Sequence, residues 1–301
     1  AGKEVLIQLP VGALGDTIAW FSFVERFQKK HDCKLSCSMA PEIADLFRAQ
    51  YPDIAFITKE EAGKLKPYAT YNLGLFFGGN TDCQPFDFRQ VGLHRTAGHI
   101  LGLDDLSDMP PRVDLSAERR IKEKYAVIAA QASSQCKYWN HPCGWREVVA
   151  HLKSQGYRVL CVDRMTEYGT DYTWNHIPYG AEDFTGDLPL QKRIDLIKSA
   201  DMFIGLSSGL SWLAWCCRVP VVLISGFTDP VNEFHTPHRV QNATVCHGCW
   251  NDTRCEFNHF DFLWCPRKKE ASNKFECTKA ITPKMVIDQI KKLQPQKAGE
   301  L

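Results

Sequence analysis

Three groups of residues in this sequence combine types and spacing that can support chemistry. The first is Gly12-Ala13-Leu14-Gly15-Asp16, which stands between the apolar run Val5 to Leu9 and a helical pattern from Ile18. Its glycines predict a turn, so a carboxylate is presented where a helix begins. If that turn faces a cleft, Asp16 can act as a general base toward a hydroxyl group. The simpler alternative is that Asp16 only caps the helix.

The second group is the run of small residues Ser207-Ser208-Gly209, followed by Leu210. It lies between a strand predicted over Met202 to Gly205 and a second helix that runs to about Cys217. Backbone N–H groups and the helix dipole attract anions at such a turn, and residues without bulk let a phosphate approach. The alternative is an ordinary crossover turn, since small residues are common between strands and helices.

The third group is a cluster of cysteines near the carboxyl end. Eight of the thirteen cysteines are scattered along the chain, where a small buried apolar role is expected. The other five fall within 32 residues, at Cys246, Cys249, Cys255, Cys265 and Cys277. A CxxC pair with two further thiolates can close a tetrahedral site for zinc or iron, and the spacing does not choose between them. Disulfides and a nucleic-acid-binding zinc finger are the alternatives, but the neighbourhood is not basic enough for the latter.

The bulk composition excludes several classes of protein. The chain has 301 residues, and its net charge of +1 gives no reason to expect a nucleic acid or an acidic membrane surface as partner. No apolar run is long enough to span a membrane. The amino terminus does not have the pattern of a signal peptide. We therefore expect a cytoplasmic protein without a membrane span.

The order of predicted elements indicates an α/β protein with two similar halves. Strands and amphipathic helices alternate from Val5 onward, and the pattern restarts at Tyr125 after a charged, proline-containing linker. A strand is predicted over Tyr71 to Phe77, a long loop over Gly78 to Arg95, and a final helix over Met285 to Leu293. Because parallel strands need crossover helices, this order predicts two Rossmann-like domains that face a cleft.

Several of these segments together resemble a known family. Gly12 to Asp16, Asp183-Phe184-Thr185-Gly186, Ala200 to Gly205 and Ser208-Gly209-Leu210-Ser211 resemble the heptosyltransferases of glycosyltransferase family 9. With Trp139, Trp174-Asn175-His176-Ile177-Pro178 and the cysteine-rich tail, the resemblance narrows to bacterial autotransporter heptosyltransferases. It covers essentially the whole chain. Each motif alone is weak, and their combination is specific.

The resemblance implies a fold and a reaction. The fold is glycosyltransferase B: an acceptor-side Rossmann-like domain over residues 1–117, a donor-binding one over 118–245, a four-cysteine metal finger over 246–280, and a terminal helix and tail over 281–301. The reaction is inverting transfer of heptose from ADP-heptose to serine hydroxyls of an autotransporter adhesin. Asp16 would be the base, and Lys137 would neutralise the leaving diphosphate.

The resemblance also implies which residues contact the donor. These are Gly12, Leu14, Gly15, Trp139, Asp163, Arg164, Ser207, Ser208, Gly209 and Leu210. Trp139, Asp163 and Arg164 each have a structural alternative, and for Trp139 this is a place in the core. The sequence departs from the family at two positions, because Ser207 and Trp212 stand where lipopolysaccharide heptosyltransferases typically have Asp and His. This departure argues against a lipid-directed enzyme.

The metal, the partners and the rival functions follow from the same resemblance. The family's cysteine pattern selects Cys246, Cys249, Cys265 and Cys277, and it implies structural iron, with zinc as the alternative. The family also implies a homo-oligomer, a dodecamer, and a further segment before the first strand, so that this sequence would be a truncated form or a separated domain. The rivals are a lipopolysaccharide-core heptosyltransferase and a catalytically silent protein that binds sugar nucleotides or assembles around a metal.

Overall fold

The computed structural model describes residues 2–10, 12–77, 82–267 and 273–293, which form two parallel sheets covered by helices. The strands of the first sheet are β1 (Glu4–Gln8), β2 (Lys34–Ser38), β3 (Ile54–Ile57) and β4 (Ala69–Asn72), in the order β3-β2-β1-β4. All three pairings are parallel, with Val5 opposite Leu35 and Ala69. In the sequence a helical pattern separates each short apolar strand from the next. Such a helix crosses over the sheet, so that the following strand can lie parallel to the preceding one.

Five helices accompany this sheet in the described residues. They are α1 (Leu14–His31), α2 (Pro41–Phe47), α3 (Lys59–Ala62), α4 (Phe88–Val91) and α5 (Leu93–Ile100). The longest, α1, buries Ile18, Phe21 and Val24 against the sheet, as its periodicity predicts.

Two sequence predictions in this half are wrong. The predicted strand Tyr71 to Phe77 is in fact β4, which begins and ends earlier along the chain. The loop predicted over Gly78 to Arg95 instead contains α4 and the start of α5, although its first residues, 78–81, lie outside the described ranges. Asp87 caps α4 by accepting a hydrogen bond from the Arg89 N–H. Gly92, with φ of 94°, lets the chain turn from one short helix into the next.

The second sheet has six strands and continues from residue 125. The remaining strands of the chain are β5 (Tyr125–Ala129), β6 (Arg158–Cys161), β7 (Glu167–Thr170), β8 (Thr173–His176), β9 (Glu182–Asp183), β10 (Met202–Leu206), β11 (Val221–Ile224) and β12 (Arg239–Val240). Six of them form a parallel sheet in the order β12-β11-β10-β5-β6-β9, whereas β7 and β8 form a separate antiparallel hairpin. The central strands β5, β10 and β11 are buried along their whole length.

Helices cover both faces of the second sheet. They are α6 (Gly144–Ser154), α7 (Leu190–Ile197), α8 (Gly209–Cys216), α9 (Glu276–Lys279) and α10 (Pro283–Leu293), and a 3₁₀ helix spans Gln135–Lys137. The final helix α10 confirms the prediction from Met285 onward. Its Val286 and Ile290 pack with Val148 and Leu152 of α6, so it lies against the second sheet. No described helix has the length and hydropathy that a membrane crossing requires.

The two sheets are joined by direct packing between their helices. Residues 101–124, all of them described, connect the two halves without a helix or strand. Helix α1 of the first half packs against α8 of the second, and buried residues of both halves, among them Phe21 and Trp212, belong to one apolar cluster. The carboxyl ends of both sets of strands therefore open toward the same space.

Candidate active site between the two sheets

A cavity of about 1100 Å³ lies where the carboxyl ends of the two sheets meet. Most of its lining residues come from the segments that follow β1, β4, β5, β6, β9, β10 and β11. Side chains after neighbouring parallel strands converge on one edge of a sheet, which explains why distant segments meet here. The volume lies slightly above the range typical of small-molecule sites.

Asp16 lines this cavity from the first turn of α1. Burial raises the pKa of its carboxyl above the ordinary value, and the positive charge of Lys137 acts in the opposite direction. The two side chains that the sequence singles out as catalytic are therefore electrostatic neighbours in the structure. A carboxylate with a raised pKa is a stronger base toward a hydroxyl than an ordinary aspartate.

Lys137 lies at the end of the 3₁₀ helix that follows β5. Its Nζ donates to Ser133 Oγ at 3.3 Å and lies 5.9 Å from the centroid of the Phe227 ring. The cysteine-rich segment stabilises this 3₁₀ helix, because the backbone carbonyl of Phe262 accepts a hydrogen bond of 2.9 Å from the Gln135 N–H. The position of this lysine thus depends on residues far along the chain.

The amino ends of α1 and α8, one from each half, meet at the cavity. A Cβ atom placed on Gly15 would lie 3.1 Å from Trp212 Cδ1 and 3.2 Å from Gly209 Cα, so the two helix ends touch at their glycines. Neither helix has a side-chain cap within the described part of the chain. Two sets of backbone N–H groups and two helix dipoles are therefore directed at one place, which suits an anion.

Ser207, Ser208, Gly209 and Leu210, which the sequence proposes as donor contacts, all line the cavity. The two serines differ in their surroundings. Ser207 Oγ donates a hydrogen bond to Glu233 Oε1. Ser208 Oγ is shielded from solvent, yet it has no hydrogen-bond partner among the described residues. The Ser208 hydroxyl is thus unpaired within the described protein, whereas the proton of Ser207 is already engaged.

Asp163 and Arg164 also reach the cavity, but both are already paired within the protein. Asp163 is buried, and its carboxylate accepts hydrogen bonds from the backbone N–H groups of Ala130 and Gln131 at 2.8 and 3.1 Å. Burial raises its pKa, and the Ala130 N–H counteracts that rise. Arg164 is exposed, with its Nε 3.1 Å from Asp187 Oδ1. Asp163 therefore joins the ends of β5 and β6, whereas Arg164 lies at the surface in an ion pair with Asp187.

Two of the predicted donor contacts do not reach the cavity. Trp139 is buried in the second apolar cluster, and its Nε1 donates a 2.8 Å hydrogen bond to the carbonyl of Ile281. The prediction that it stacks in the cleft is wrong, because the chain after the 3₁₀ helix turns its ring toward α10. Gly12 is exposed before α1 and is not among the lining residues, unlike Leu14 and Gly15.

Several lining residues were not predicted from the sequence. Glu233 and Asn232 follow β11, and the aromatic residues Trp250 and Phe257 with His259 come from the cysteine-rich segment. The rule that loops after parallel strands face the crevice indicates the loop that contains Glu233. No sequence signal indicates the aromatic residues, since their approach depends on how the cysteine-rich segment packs against Phe227 and Phe88.

The predicted metal ligands are neighbours in the structure. All thirteen cysteines lie in the described ranges and are free thiols. Burial raises the pKa of Cys249, and the charges of Cys277 and Cys265 raise it further. Burial likewise raises the pKa of Cys277 to about 12, with a further contribution from Cys246. The thiols of this segment are thus close to one another, and Cys136 and Cys255, which lie outside the predicted ligand set, also act on Cys249.

The arrangement of these thiols is not that of a closed ligand set. Among the described residues no three His, Cys, Asp or Glu side chains are placed to hold a metal ion together. A cluster of thiols has the donor chemistry that iron or zinc requires, but their positions in this structure do not complete a tetrahedron. Cys136, beside Lys137, belongs to the same buried cluster as Cys265.

With this geometry established, comparisons with known proteins identify the family. A family model described as glycosyltransferase family 9 (heptosyltransferase) matches residues 103–257. The chain is 56% identical over 291 residues to the autotransporter heptosyltransferase TibC of Escherichia coli O78:H11 (strain H10407 / ETEC), which covers 97% of this chain and 71% of TibC.

Crystal structures of TibC from enterotoxigenic E. coli H10407 have the same fold. TibC is an iron-containing dodecameric glycosyltransferase, and its structure aligns with this chain at a TM-score of 0.95, over 97% of this chain and 78% of the TibC chain. A complex of TibC with ADP-D-beta-D-heptose aligns at 0.94, again at 56% identity, over 97% and 76% of the two chains. Both comparisons match the α/β architecture with parallel sheets.

Two more distant comparisons set limits on what the family membership implies. The inactive autotransporter heptosyltransferase BimC of Burkholderia thailandensis (strain ATCC 700388 / DSM 13276 / CCUG 48851 / CIP 106301 / E264) is 40% identical over 293 residues, 97% of this chain and 68% of BimC. The E. coli ADP-heptose lps heptosyltransferase II, at 13% identity, aligns at a TM-score of 0.65 over 96% of this chain and 98% of its own, which shows a common fold alone. The chain has the glycosyltransferase B fold and belongs to glycosyltransferase family 9, the heptosyltransferases.

Proposed function

We propose that this chain is an inverting protein O-heptosyltransferase that transfers heptose from ADP-heptose to serine hydroxyls of an autotransporter adhesin. One observation carries the proposal. A single cavity holds Asp16, Lys137 and two uncapped helix ends, in a chain 56% identical to the autotransporter heptosyltransferase TibC. A base, a cation and an anion site are what transfer from a nucleotide sugar requires.

In the proposed reaction Asp16 accepts the proton of the acceptor serine as its oxygen attacks the anomeric carbon. The new carbon–oxygen bond forms on one face of the sugar while the bond to ADP breaks on the other, which inverts the configuration. ADP leaves with the bonding electrons. The raised pKa of Asp16 supports the role of base, because burial strengthens its affinity for the proton at the moment of attack.

Stabilisation of the leaving ADP would come from three sources. Lys137 supplies a positive charge, and the amino ends of α1 and α8 supply backbone N–H groups. The unpartnered hydroxyl of Ser208 at the start of α8 can donate to a phosphate oxygen. Fixed donors of this kind act where negative charge develops, so they lower the barrier without reorganising.

The charges of the cavity favour a protein acceptor over a lipopolysaccharide core. Among the described lining residues the cationic side chains are Lys137 and Arg164, and Arg164 is paired with Asp187. Acidic side chains are more numerous there, and uncharged side chains make up the rest of the wall, among them the aromatic residues Phe77, Trp250 and Phe257. An acceptor rich in phosphate and acidic sugars would be repelled, whereas a neutral polypeptide segment would not. The residues Ser207 and Trp212, which replace the Asp and His typical of lipopolysaccharide heptosyltransferases, favour the same conclusion.

The alternative is a catalytically silent protein. BimC, which is 40% identical to this chain, is an inactive autotransporter heptosyltransferase. The fold alone therefore does not decide activity. The presence of Asp16 and Lys137 at one cavity, with their charges coupled, argues for transfer. A protein that only binds the nucleotide has no need for a base with a raised pKa.

A competition between acceptors tests the proposal. The purified chain is incubated with ADP-heptose and either a serine-rich adhesin passenger or a heptose-deficient lipopolysaccharide core, and both acceptors are analysed by mass spectrometry. We expect stepwise addition of heptose to the passenger alone. Heptose on the lipid core with an unchanged passenger would assign the chain to the lipid-directed branch. Addition to neither acceptor, with ADP still bound, would support the silent alternative.

We further propose structural iron, held by Cys246, Cys249, Cys265 and Cys277, with the thiols moving together when the metal binds. The iron of TibC and the mutual influence of these thiols support it, and nothing comparable favours zinc. Oligomerisation, as in dodecameric TibC, and a cytoplasmic reaction before export are part of the same proposal. Elemental analysis of purified protein should find about one iron per chain. Iron-free, folded protein would contradict the metal assignment.

A further inference from the structure

Glu233 is a buried carboxylate at the cavity that the proposed reaction does not use. It is 2% exposed, yet it belongs to the cavity lining. Arg239 Nη1 donates to its Oε2 at 2.7 Å, and Asn232 Nδ2 donates to its Oε1 at 3.0 Å. Arg239 is anchored in turn through its Nη2, which donates to the Thr228 carbonyl at 2.7 Å. The charge of Glu233 is therefore compensated and fixed in place.

The hydrogen bond between Ser207 and Glu233 decides what Ser207 can offer a ligand. A hydroxyl group has one proton, and Ser207 donates its proton to Glu233 Oε1. Its oxygen keeps lone pairs that can only accept. Ser208, the next residue, has an unpartnered hydroxyl and can donate. Of these two adjacent serines, Ser207 can therefore only accept a hydrogen bond from a ligand, whereas Ser208 still has a proton to donate.

A phosphate group is a poor ligand for the Ser207 position. Phosphate oxygens of a nucleotide diphosphate are ionised and only accept hydrogen bonds, so they have no proton to give Ser207. The negative charge of Glu233 behind Ser207 also repels an anion. A sugar hydroxyl has the opposite character, since it carries no charge and can donate its proton to the serine oxygen.

We propose that Ser207, oriented by Glu233, accepts a hydrogen bond from a hydroxyl of the donor sugar and is not a phosphate ligand. The inference rests on the proposed sugar-nucleotide donor. Glu233 acts here as a positioning residue, because it reaches the sugar only through Ser207. The Ser207–Glu233 pair would thereby help the enzyme to recognise the sugar itself, separately from its ADP carrier.

Calorimetric titration with two ligands tests this assignment. ADP and ADP-heptose are titrated into the wild-type chain, Ser207→Ala and Glu233→Gln. In Ser207→Ala we expect the ratio of the ADP-heptose to the ADP dissociation constant to rise about tenfold, as the loss of one good hydrogen bond predicts. In Glu233→Gln we expect a smaller rise in the same direction, since Ser207 is no longer fixed as an acceptor and has to be oriented when the sugar binds. Affinity for ADP should not fall in either variant.

Matched controls separate recognition from folding. Ser154→Ala removes a hydroxyl that donates to a helix carbonyl, and Glu182→Gln neutralises a carboxylate paired with Arg158, both away from the cavity lining. Neither control should change the ratio. If Glu233→Gln unfolds because Arg239 loses its partner, Ser207→Ala alone carries the test.

The outcomes are distinct for the inference and for the proposed function. A parallel loss of ADP and ADP-heptose affinity in Ser207→Ala would overturn the inference, because it would make Ser207 a phosphate ligand or a structural residue. An unchanged ratio would also overturn it. Failure of the wild-type chain to bind ADP-heptose, while ADP binds, would instead overturn the donor assignment and the inference with it.

Discussion

The contact between Gly15 and Gly209 leads to a quantitative prediction for Gly15→Ala. A Cβ at Gly15 would lie 3.1 Å from Trp212 Cδ1 and 3.2 Å from Gly209 Cα, closer than the ordinary contact range, which begins at 3.4 Å. Trp212 has little freedom to move, since its ring packs 5.0 Å from Phe234 and 5.5 Å from Trp215, measured between centroids. The amino ends of α1 and α8 must therefore separate by a few tenths of an ångström.

The cost of that separation follows from two opposing effects. Overpacking of a tight contact destabilises by about 1–3 kcal/mol. Replacing a helical glycine by alanine recovers roughly 0.5–1 kcal/mol. The middles of these ranges, about 2 kcal/mol lost and about 0.8 kcal/mol recovered, give a net loss in the free energy of unfolding of about 1 kcal/mol, seen as a fall of about 2–4 °C in the thermal midpoint. Because Asp16 moves with the end of α1, kcat should fall about three- to tenfold.

Gly12→Ala is the matched control for Gly15→Ala. It lies in the same loop, its backbone is not left-handed, and a Cβ there would meet no atom within 4 Å. Thermal denaturation and heptose transfer to the passenger are measured for both variants. Gly12→Ala should match the wild type in both. The reasoning is refuted if Gly15→Ala is as stable and active as the wild type, or if Gly12→Ala shows the same losses.

Three further predictions concern other parts of the site. Burial raises the pKa of Asp16 above 3.8, so kcat should fall with decreasing pH at a pH above that value. Lys137→Ala removes the charge that opposes this rise, so the fall should begin at a still higher pH. If its position does not change, the group that titrates is not Asp16. Trp139→Phe loses the hydrogen bond to the Ile281 carbonyl, so the free energy of unfolding should fall by about 1 kcal/mol. The affinity for ADP, measured by calorimetry, should not change. Weaker ADP binding would show that Trp139 contacts the donor. Cys277→Ser should lose iron and thermal stability, whereas Cys255→Ser should keep both; equal iron content in the two variants would contradict the proposed ligand set.

The parts of the fold that local sequence signals determine were predictable. The alternation of apolar strands and amphipathic helices places α1 after the glycine-containing loop and α8 after the serine turn, and both occur as expected. Where local signals conflict, the prediction was wrong. The glycine- and proline-rich stretch before Arg95 indicated a loop, but the Asp87 cap and the left-handed Gly92 accommodate two short helices there.

The candidate site was predictable to the extent that it lies directly after strands. Asp16, Lys137 and the Ser207 turn each follow a strand, and the structure brings them to one cavity. Contacts between segments far apart in sequence were not predictable. Ser207 and Glu233 are separated by 26 positions, and the place of Trp139 depends on the carbonyl of Ile281, 142 positions away. Only tertiary packing determines such pairs.

The most direct test of the central claim is heptose transfer with and without the Asp16 carboxylate. The wild-type chain and Asp16→Asn are each incubated with ADP-heptose and the adhesin passenger, and the intact mass of the passenger is followed over time. We predict successive heptose additions by the wild type and none by Asp16→Asn, although both bind ADP. An unmodified passenger with the wild-type chain, or wild-type transfer by Asp16→Asn, would contradict the account.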